Sequence, residues 1–244
     1  MDHRRKCGKS TLAADIGLNL FCADGEPGAE VYTAATKRDQ ARITRSEAAR
    51  MVTASPSLRR HIGIFRDNLH VLSTSSKFEP LGADADFMDG LNVHGAIVDE
   101  LHAHRNREVW DVLETATGSR RQPLLFAITT AGFDRHSICW ELHEYMQKVL
   151  EGLLDDDSLL GYIACLDEGD DWTDETAGAK ANPSFGVCVK LEDLRRTPTK
   201  ELEKLMLGER SPTESNRYCD RWGRSVGHGN WAGDGGDGAR AVGV

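Results

Sequence analysis

The chain has 244 residues, of which 39% are hydrophobic and 28% charged, and these proportions are typical of a globular protein. No apolar run reaches the roughly 18 residues that a membrane-spanning helix needs, and the six cysteines form no CxxC pair, so the sequence indicates no membrane segment, zinc knuckle or disulfide framework. The net charge of −9 disfavours a protein that coats nucleic acid by bulk electrostatics, although a few local Lys and Arg side chains can still hold DNA.

The predicted elements alternate between helices and strands. In chain order they are a helix over 10–22, a strand over 30–34, a helix over 37–53, strands over 69–74 and 93–98, a helix over 107–115, a strand over 124–128, a helix over 137–151 and a strand over 161–166. We assign the start of the helix over 37–53 to a capping box of Thr36 and Asp39. The alternation predicts an α/β fold with a mainly parallel sheet sandwiched by helices. The glycine-rich end has no amphipathic period, so we expect residues 223–244 to be disordered.

A short motif near the N-terminus, Gly8-Lys9-Ser10-Thr11, indicates the nucleotide-binding half of a P-loop, although the first glycine of that motif is absent. In a P-loop the backbone N–H groups cradle phosphates, the Lys neutralises phosphate charge and the Ser hydroxyl is a Mg²⁺ ligand. Arg5 is a candidate for stabilising the charge that develops on the γ-phosphate. A surface turn that caps a helix is the alternative interpretation.

An apolar strand that ends in Asp99 and Glu100 supplies the second half of such a site. We predict that Asp99 holds Mg²⁺ and that Glu100 orients and deprotonates the attacking water. Acidic pairs also occur at strand ends without any catalytic role. Together with the P-loop, however, the pair predicts a Mg²⁺-dependent ATPase with ATP as its substrate.

Thr129 and Thr130 directly follow the strand over 124–128. Hydroxyl groups at that place can sense the γ-phosphate and report it to a moving part, and a simple strand-ending turn is an equally good interpretation. Arg120 and Arg121 are either contacts to DNA or to a neighbouring subunit's ATP, or part of an exposed loop, which we favour. Four histidines show no metal-ligand pattern and are interpreted as structural or surface residues: His102, His104, His136 and His143.

Four runs of the sequence carry a resemblance to a known family: Arg5–Ser10, Tyr32–Ala41, Asp89–His102 and Thr129–Gly132. With these residues the chain resembles the ATPase domain of the large terminase subunit of tailed bacteriophages, over roughly residues 4–196. The first run resembles that family's divergent Walker A motif. The third resembles its Walker B motif with the catalytic Glu, and the fourth its coupling motif.

The resemblance implies a P-loop NTPase of the additional-strand, catalytic-glutamate type that hydrolyses ATP to drive double-stranded DNA into a prohead. It implies as partners double-stranded DNA, the small terminase subunit, the portal protein and further copies of the full-length chain, all in the cytoplasm of a bacterial host. Against the family pattern we expect truncation at both ends. Residues 1–196 would form the ATPase domain without the strand that leads into the P-loop. Residues 197–244 would form a low-complexity or disordered tail in place of a nuclease domain. Another P-loop DNA-dependent, helicase-like ATPase and an inactive prophage remnant are the alternatives.

Overall fold

The structure, a computed structural model, describes residues 8–81, 90–104, 106–130, 134, 136–165, 170, 174–181, 184–187 and 239–243. The chain divides into two compact units. The larger comprises residues 10–162 with 229–244, and the smaller comprises residues 1–9 with 163–228. The predicted boundary after residue 196 and the expected tail up to residue 238 lie outside the described residues and stay predictions.

Helices and strands alternate along residues 9–162, and one further strand follows at 239–243. The helices are α1 (Lys9–Cys22), α2 (Arg38–Ala54), α3 (Glu108–Thr115) and α4 (Ile138–Leu150). The strands are β1 (Glu30–Ala34), β2 (Gly63–Ile64), β3 (Leu69–Val71), β4 (Ser76–Pro80), β5 (Val93–Asp99), β6 (Leu124–Ile128), β7 (Leu159–Tyr162) and β8 (Ala239–Gly243). In the smaller unit, α5 (Glu175–Ala181) carries Lys180, which pairs with Asp170 at 2.8 Å. No helix in the described part of the chain is long and apolar enough to cross a membrane.

The strands form one sheet in the order β2-β3-β4-β1-β5-β6-β8-β7. Every pairing from β4 to β7 across this order is parallel, whereas β2, β3 and β4 pair antiparallel at one edge. All seven residues of β5 are buried, as expected of a central strand covered on both faces. The predicted α/β class with a mainly parallel sheet between helices is therefore confirmed.

Helix α1 lies unusually close to the sheet because two glycines remove side chains from the contact. A methyl group at Gly17 would lie 2.7 Å from Cζ of Phe78 and 2.8 Å from Cδ1 of Ile97. A methyl group at Gly95 on β5 would lie 2.8 Å from Cδ1 of Leu20. Since real Cβ atoms do not approach other atoms so closely, a side chain at either position would force these neighbouring side chains to shift.

Three local predictions differ from the structure. Thr36 does not cap α2, because the cap position is Lys37 without a side-chain bond and the Thr36 hydroxyl contacts Oε1 of Gln40 instead. The strand predicted over 161–166 lies at 159–162, and the antiparallel strands β2 and β4 were not predicted. These short strands are specified by pairing with distant neighbours rather than by a local hydrophobic period.

Strand β8 corrects the expectation of disorder over 223–244 for residues 239–243. Its backbone pairs with β6 from Leu124 to Ile128 on one side and with β7 on the other. A chain that ends at residue 238 should therefore unfold with a free energy lower by about 3 kcal/mol or more, since each lost ladder hydrogen bond contributes about 1 kcal/mol. Urea denaturation measures the loss. A chain that ends at Gly243 is the control, and equal stability of the two truncated chains would contradict the pairing.

Arg120 joins two loops of the fold rather than lying in an exposed loop, so the interpretation that we favoured for it was wrong. Its side chain is 7% exposed. Nη2 donates to the carbonyl oxygens of Gly28 at 2.8 Å and Asn92 at 3.0 Å, and Nη1 lies 3.3 Å from a carboxylate oxygen of Glu26. The guanidinium thus joins the loop before β1 to the segment before β5. A single sequence gives no signal for such contacts between distant loops.

Replacing Arg120 by Ala should lower the free energy of unfolding by about 2–3 kcal/mol, because buried hydrogen bonds to a charged group are lost together. The adjacent Arg121 is exposed and supplies a matched control, for which we expect a change below about 0.5 kcal/mol. Urea denaturation of the two variants compares them directly. Similar values for both would show that these contacts of Arg120 contribute little.

Candidate active site at the carboxyl edge of the sheet

Two neighbouring strands end at the same edge of the sheet. Asp99 is the last residue of β5 and stands in register with Ile128, the last residue of β6. Because the strands are parallel, Glu100 and Thr129 leave the sheet side by side at its carboxyl edge, where ligands bind in open α/β sheets. Asp99 is 9% exposed and Thr129 is buried. The sequence-predicted acidic pair and the threonine pair therefore share one location.

Glu100 has a strained backbone. Its φ of 52° and ψ of 53° lie in the left-handed region, which costs a residue with a side chain about 1–2 kcal/mol. A 3-10 turn over Leu101–Ala103 follows, closed by a 2.8 Å hydrogen bond from the Ala103 N–H to the Glu100 carbonyl and anchored by the buried side chain of Leu101. Strain of this kind persists where the surrounding structure enforces it, and it is concentrated at functional sites.

The Glu100 carboxylate has polar neighbours from both the turn and β6. The Thr130 hydroxyl donates to Oε2 of Glu100 over 3.4 Å, and Nδ1 of His102 lies 3.2 Å from the same oxygen. Nδ1 of His102 is also 2.8 Å from Oγ1 of Thr129. The side chain of Glu100 remains 34% exposed. The Glu100 carboxylate is therefore accessible to water while its contacts with Thr130 and His102 fix its position, as a base acting on water requires.

The amino end of α1 is directed toward this edge. Along β5, Ile97 approaches Gly17, while Gly95 approaches Leu20, so α1 runs antiparallel to β5. Ser10 lies about two turns before Gly17 and is therefore on the side of the sheet edge where β5 ends. Helix amino ends present free N–H groups and the positive end of the helix dipole, so this end is suited to bind an anion.

The other predicted P-loop residues lie just before α1 or in its first turn. Gly8 has a φ of 73°, a left-handed conformation that suits glycine, and Lys9 is the first residue of the helix. Ser10 is half-buried and Thr11 exposed. Arg5 lies outside the described residues, and its role stays a prediction.

Two further histidines have a pKa below the usual value of histidine because burial disfavours their charged form: His104, which is hydrogen-bonded to the backbone of Asp99, and His143. The sequence did not reveal the contacts of His102 with Glu100 and Thr129. The only sequence feature that could have indicated them is the position of His102 two residues after Glu100. In the described ranges, no group of three or more His, Cys, Asp or Glu side chains has the arrangement of a metal site.

Two known proteins are similar in sequence to part of this chain. The chain is 43% identical over 106 residues to the protein YmfN of Escherichia coli strain K12, a match covering 43% of this chain and 23% of that protein. It is 31% identical over 131 residues to the terminase large subunit of Enterobacteria phage HK97, covering 52% of this chain and 26% of that one. The chain thus spans about a quarter of the length of these relatives.

A solved structure agrees with this chain at the level of the fold. The crystal structure of the HK97 bacteriophage large terminase superposes with a TM-score of 0.69 and 23% identity, covering 88% of this chain and 44% of that chain. The family model described as "Terminase large subunit, ATPase domain" matches residues 2–148, more than half of the sequence. The chain therefore belongs to the family of terminase large subunit ATPase domains.

Proposed function

We propose that this chain hydrolyses ATP at the carboxyl edge of its sheet, and that the hydrolysis drives translocation of double-stranded DNA into a phage prohead. The observation that carries the proposal is the placement of Glu100. Its carboxylate leaves β5 in a strained conformation beside Thr130, at the edge toward which the amino end of α1 is directed. Family membership supplies the ATPase class, and the packaging role is an extension from it.

The phosphates of ATP would lie at the amino end of α1. There the backbone N–H groups and the Lys9 ammonium balance the phosphate charge, and Arg5 is a second candidate cation. Glu100 takes the proton from the attacking water, a role that suits a carboxylate held by two donors and still open to solvent.

Magnesium would be held by oxygen donors of this chain. Mg²⁺ prefers carboxylate and hydroxyl oxygens together with waters and phosphates, and the Asp99 carboxylate and the Ser10 hydroxyl provide that donor set. The residues present therefore fit the ion. When bound, it neutralises charge on the β- and γ-phosphates.

Thr129 and Thr130 are proposed to link the nucleotide to movement. Thr130 donates to Glu100, and Thr129 contacts His102 in the turn that follows Glu100. A displacement of the Glu100 carboxylate would therefore change the contacts of the residues at the end of β6. The proposed partners are double-stranded DNA, the small terminase subunit, the portal protein and further copies of the full-length chain. With a net charge of −9, DNA contact would rest on local Lys and Arg side chains.

Phosphate release from Mg-ATP tests this function when the chain is measured alone, with linear duplex DNA, and with DNA plus portal-containing proheads and the small subunit. We expect hydrolysis that duplex DNA stimulates and that is greatest with proheads, without separation of the strands of a forked duplex. Strand separation would instead support a helicase-like ATPase. Tight ATP binding without any phosphate release would support an inactive remnant.

A further inference from the structure

His102 connects the two halves of the carboxyl edge. It lies in the 3-10 turn that follows Glu100 and is half-buried. Its ring nitrogen Nδ1 is 2.8 Å from Oγ1 of Thr129 and 3.2 Å from Oε2 of Glu100. One imidazole nitrogen is thus within hydrogen-bond distance of both the candidate base and the first residue after β6.

The contacts of the Thr129 hydroxyl indicate where the hydrogen lies on this ring. The Thr129 hydroxyl has one hydrogen, which it donates to the Thr130 carbonyl at 2.9 Å. The same oxygen accepts the backbone N–H of His102 at 3.1 Å. With its hydrogen directed to the Thr130 carbonyl, the hydroxyl offers Nδ1 a lone pair, and in this arrangement Nδ1 carries the hydrogen. The Glu100 carboxylate, which is an acceptor when ionised, lies 3.2 Å from Nδ1 and suits the same tautomer.

We propose that His102 is a positioning residue: its Nδ1–H is shared between Thr129 and Glu100, and so fixes the Glu100 carboxylate relative to the end of β6. This inference rests on the proposed function of Glu100. The partly exposed side chain of Glu100 has several rotamers available, and a hydrogen bond from Nδ1–H of His102 restricts them. Because base catalysis depends on the direction of the carboxylate, loss of this donor should slow the chemical step without weakening nucleotide binding.

Three substitutions of His102 separate positioning from simple packing. In His102→Asn an amide N–H can replace Nδ1–H at the same distance from the backbone. In His102→Gln the amide lies one bond further out, near the place of Nε2, and in His102→Leu no donor remains. All three keep the backbone N–H to Thr129.

We expect kcat to fall by about 10-fold or more in the Leu and Gln variants with KM for ATP unchanged, because a misplaced catalytic group costs up to about 100-fold. The Asn variant should retain most of the wild-type kcat. Wild-type kcat in the Leu variant would overturn the proposal. Equal losses in all three variants, or a parallel rise in KM, would also overturn it.

A second measurement does not depend on turnover. In ¹⁵N NMR of the wild-type chain at about pH 8.5, above the ordinary pKa of histidine, we expect the His102 ring to carry its hydrogen on Nδ1. In the double variant Glu100→Ala/Thr129→Val, which removes both acceptors, the ring should shift toward the Nε2–H tautomer that neutral histidine favours. A wild-type ring protonated on Nε2 alone would overturn the proposal even if the chain is active. Absence of ATP hydrolysis by the wild type, with the Nδ1–H tautomer intact, would instead contradict the proposed function.

Discussion

Replacing Glu100 by Gln should reduce ATP hydrolysis by about 10²–10⁴-fold, the usual contribution of a general base. Gln has nearly the same shape and can still contact Thr130 and His102, but its amide cannot accept a proton from water. The binding of ATP depends on the amino end of α1 and should stay within about twofold of the wild type. Phosphate release and equilibrium titration with a fluorescent ATP analogue measure the two quantities separately.

Glu108→Gln is the matched control for this substitution, because Glu108 is an exposed carboxylate at the start of α3. It should hydrolyse ATP at the wild-type rate. Equal hydrolysis by the wild type and Glu100→Gln would remove Glu100 from the mechanism. A loss of ATP binding in Glu100→Gln would show that the carboxylate supports the fold of the site rather than the reaction.

Replacing Lys9 by Ala should weaken ATP binding by about 10- to 100-fold. Lys9 begins α1, and its ammonium would make charge-assisted hydrogen bonds to phosphate, each contributing about 1.5–3 kcal/mol. Isothermal titration with Mg-ATP measures the change in Kd.

Lys148→Ala, at an exposed position near the end of α4, controls for the removal of one positive charge. It should leave Kd unchanged. If Lys9→Ala and Lys148→Ala bind ATP equally well, the motif at the start of α1 is a helix-capping turn, the alternative that the sequence left open.

The sequence predicted the elements whose hydrophobic period is local. Helix α1 and strands β1, β5 and β6 lie within a residue of their predicted bounds, because a helical hydrophobic period or a largely apolar strand carries its own signal. Strand β3 was predicted over 69–74 and lies at Leu69–Val71, whereas β2, β4 and β8 carry no such signal. Ala-Arg-Ala-Val-Gly at 239–243 becomes a strand by pairing with segments far away in the sequence.

The candidate site was predicted in part for a similar reason. The carboxyl ends of parallel strands meet at one edge, so the sequence positions of Glu100 and Thr130 were enough to place them together. The contacts of His102 depend on the left-handed conformation of Glu100, which turns the chain back toward β6. Backbone strain at a residue other than glycine leaves no trace in the amino-acid sequence, so that contact became visible only in the structure.

We claim that the chain has a working nucleotide site, and the thermal unfolding midpoint (Tm) of the wild type, measured with and without Mg-ATP, provides the test. A ligand that binds only the folded state stabilises it, by about 2.7 kcal/mol at a hundredfold excess over Kd. We expect Tm to rise with the logarithm of the ATP concentration, and this rise should be largely lost in Lys9→Ala. An unchanged Tm at millimolar Mg-ATP would contradict the claim.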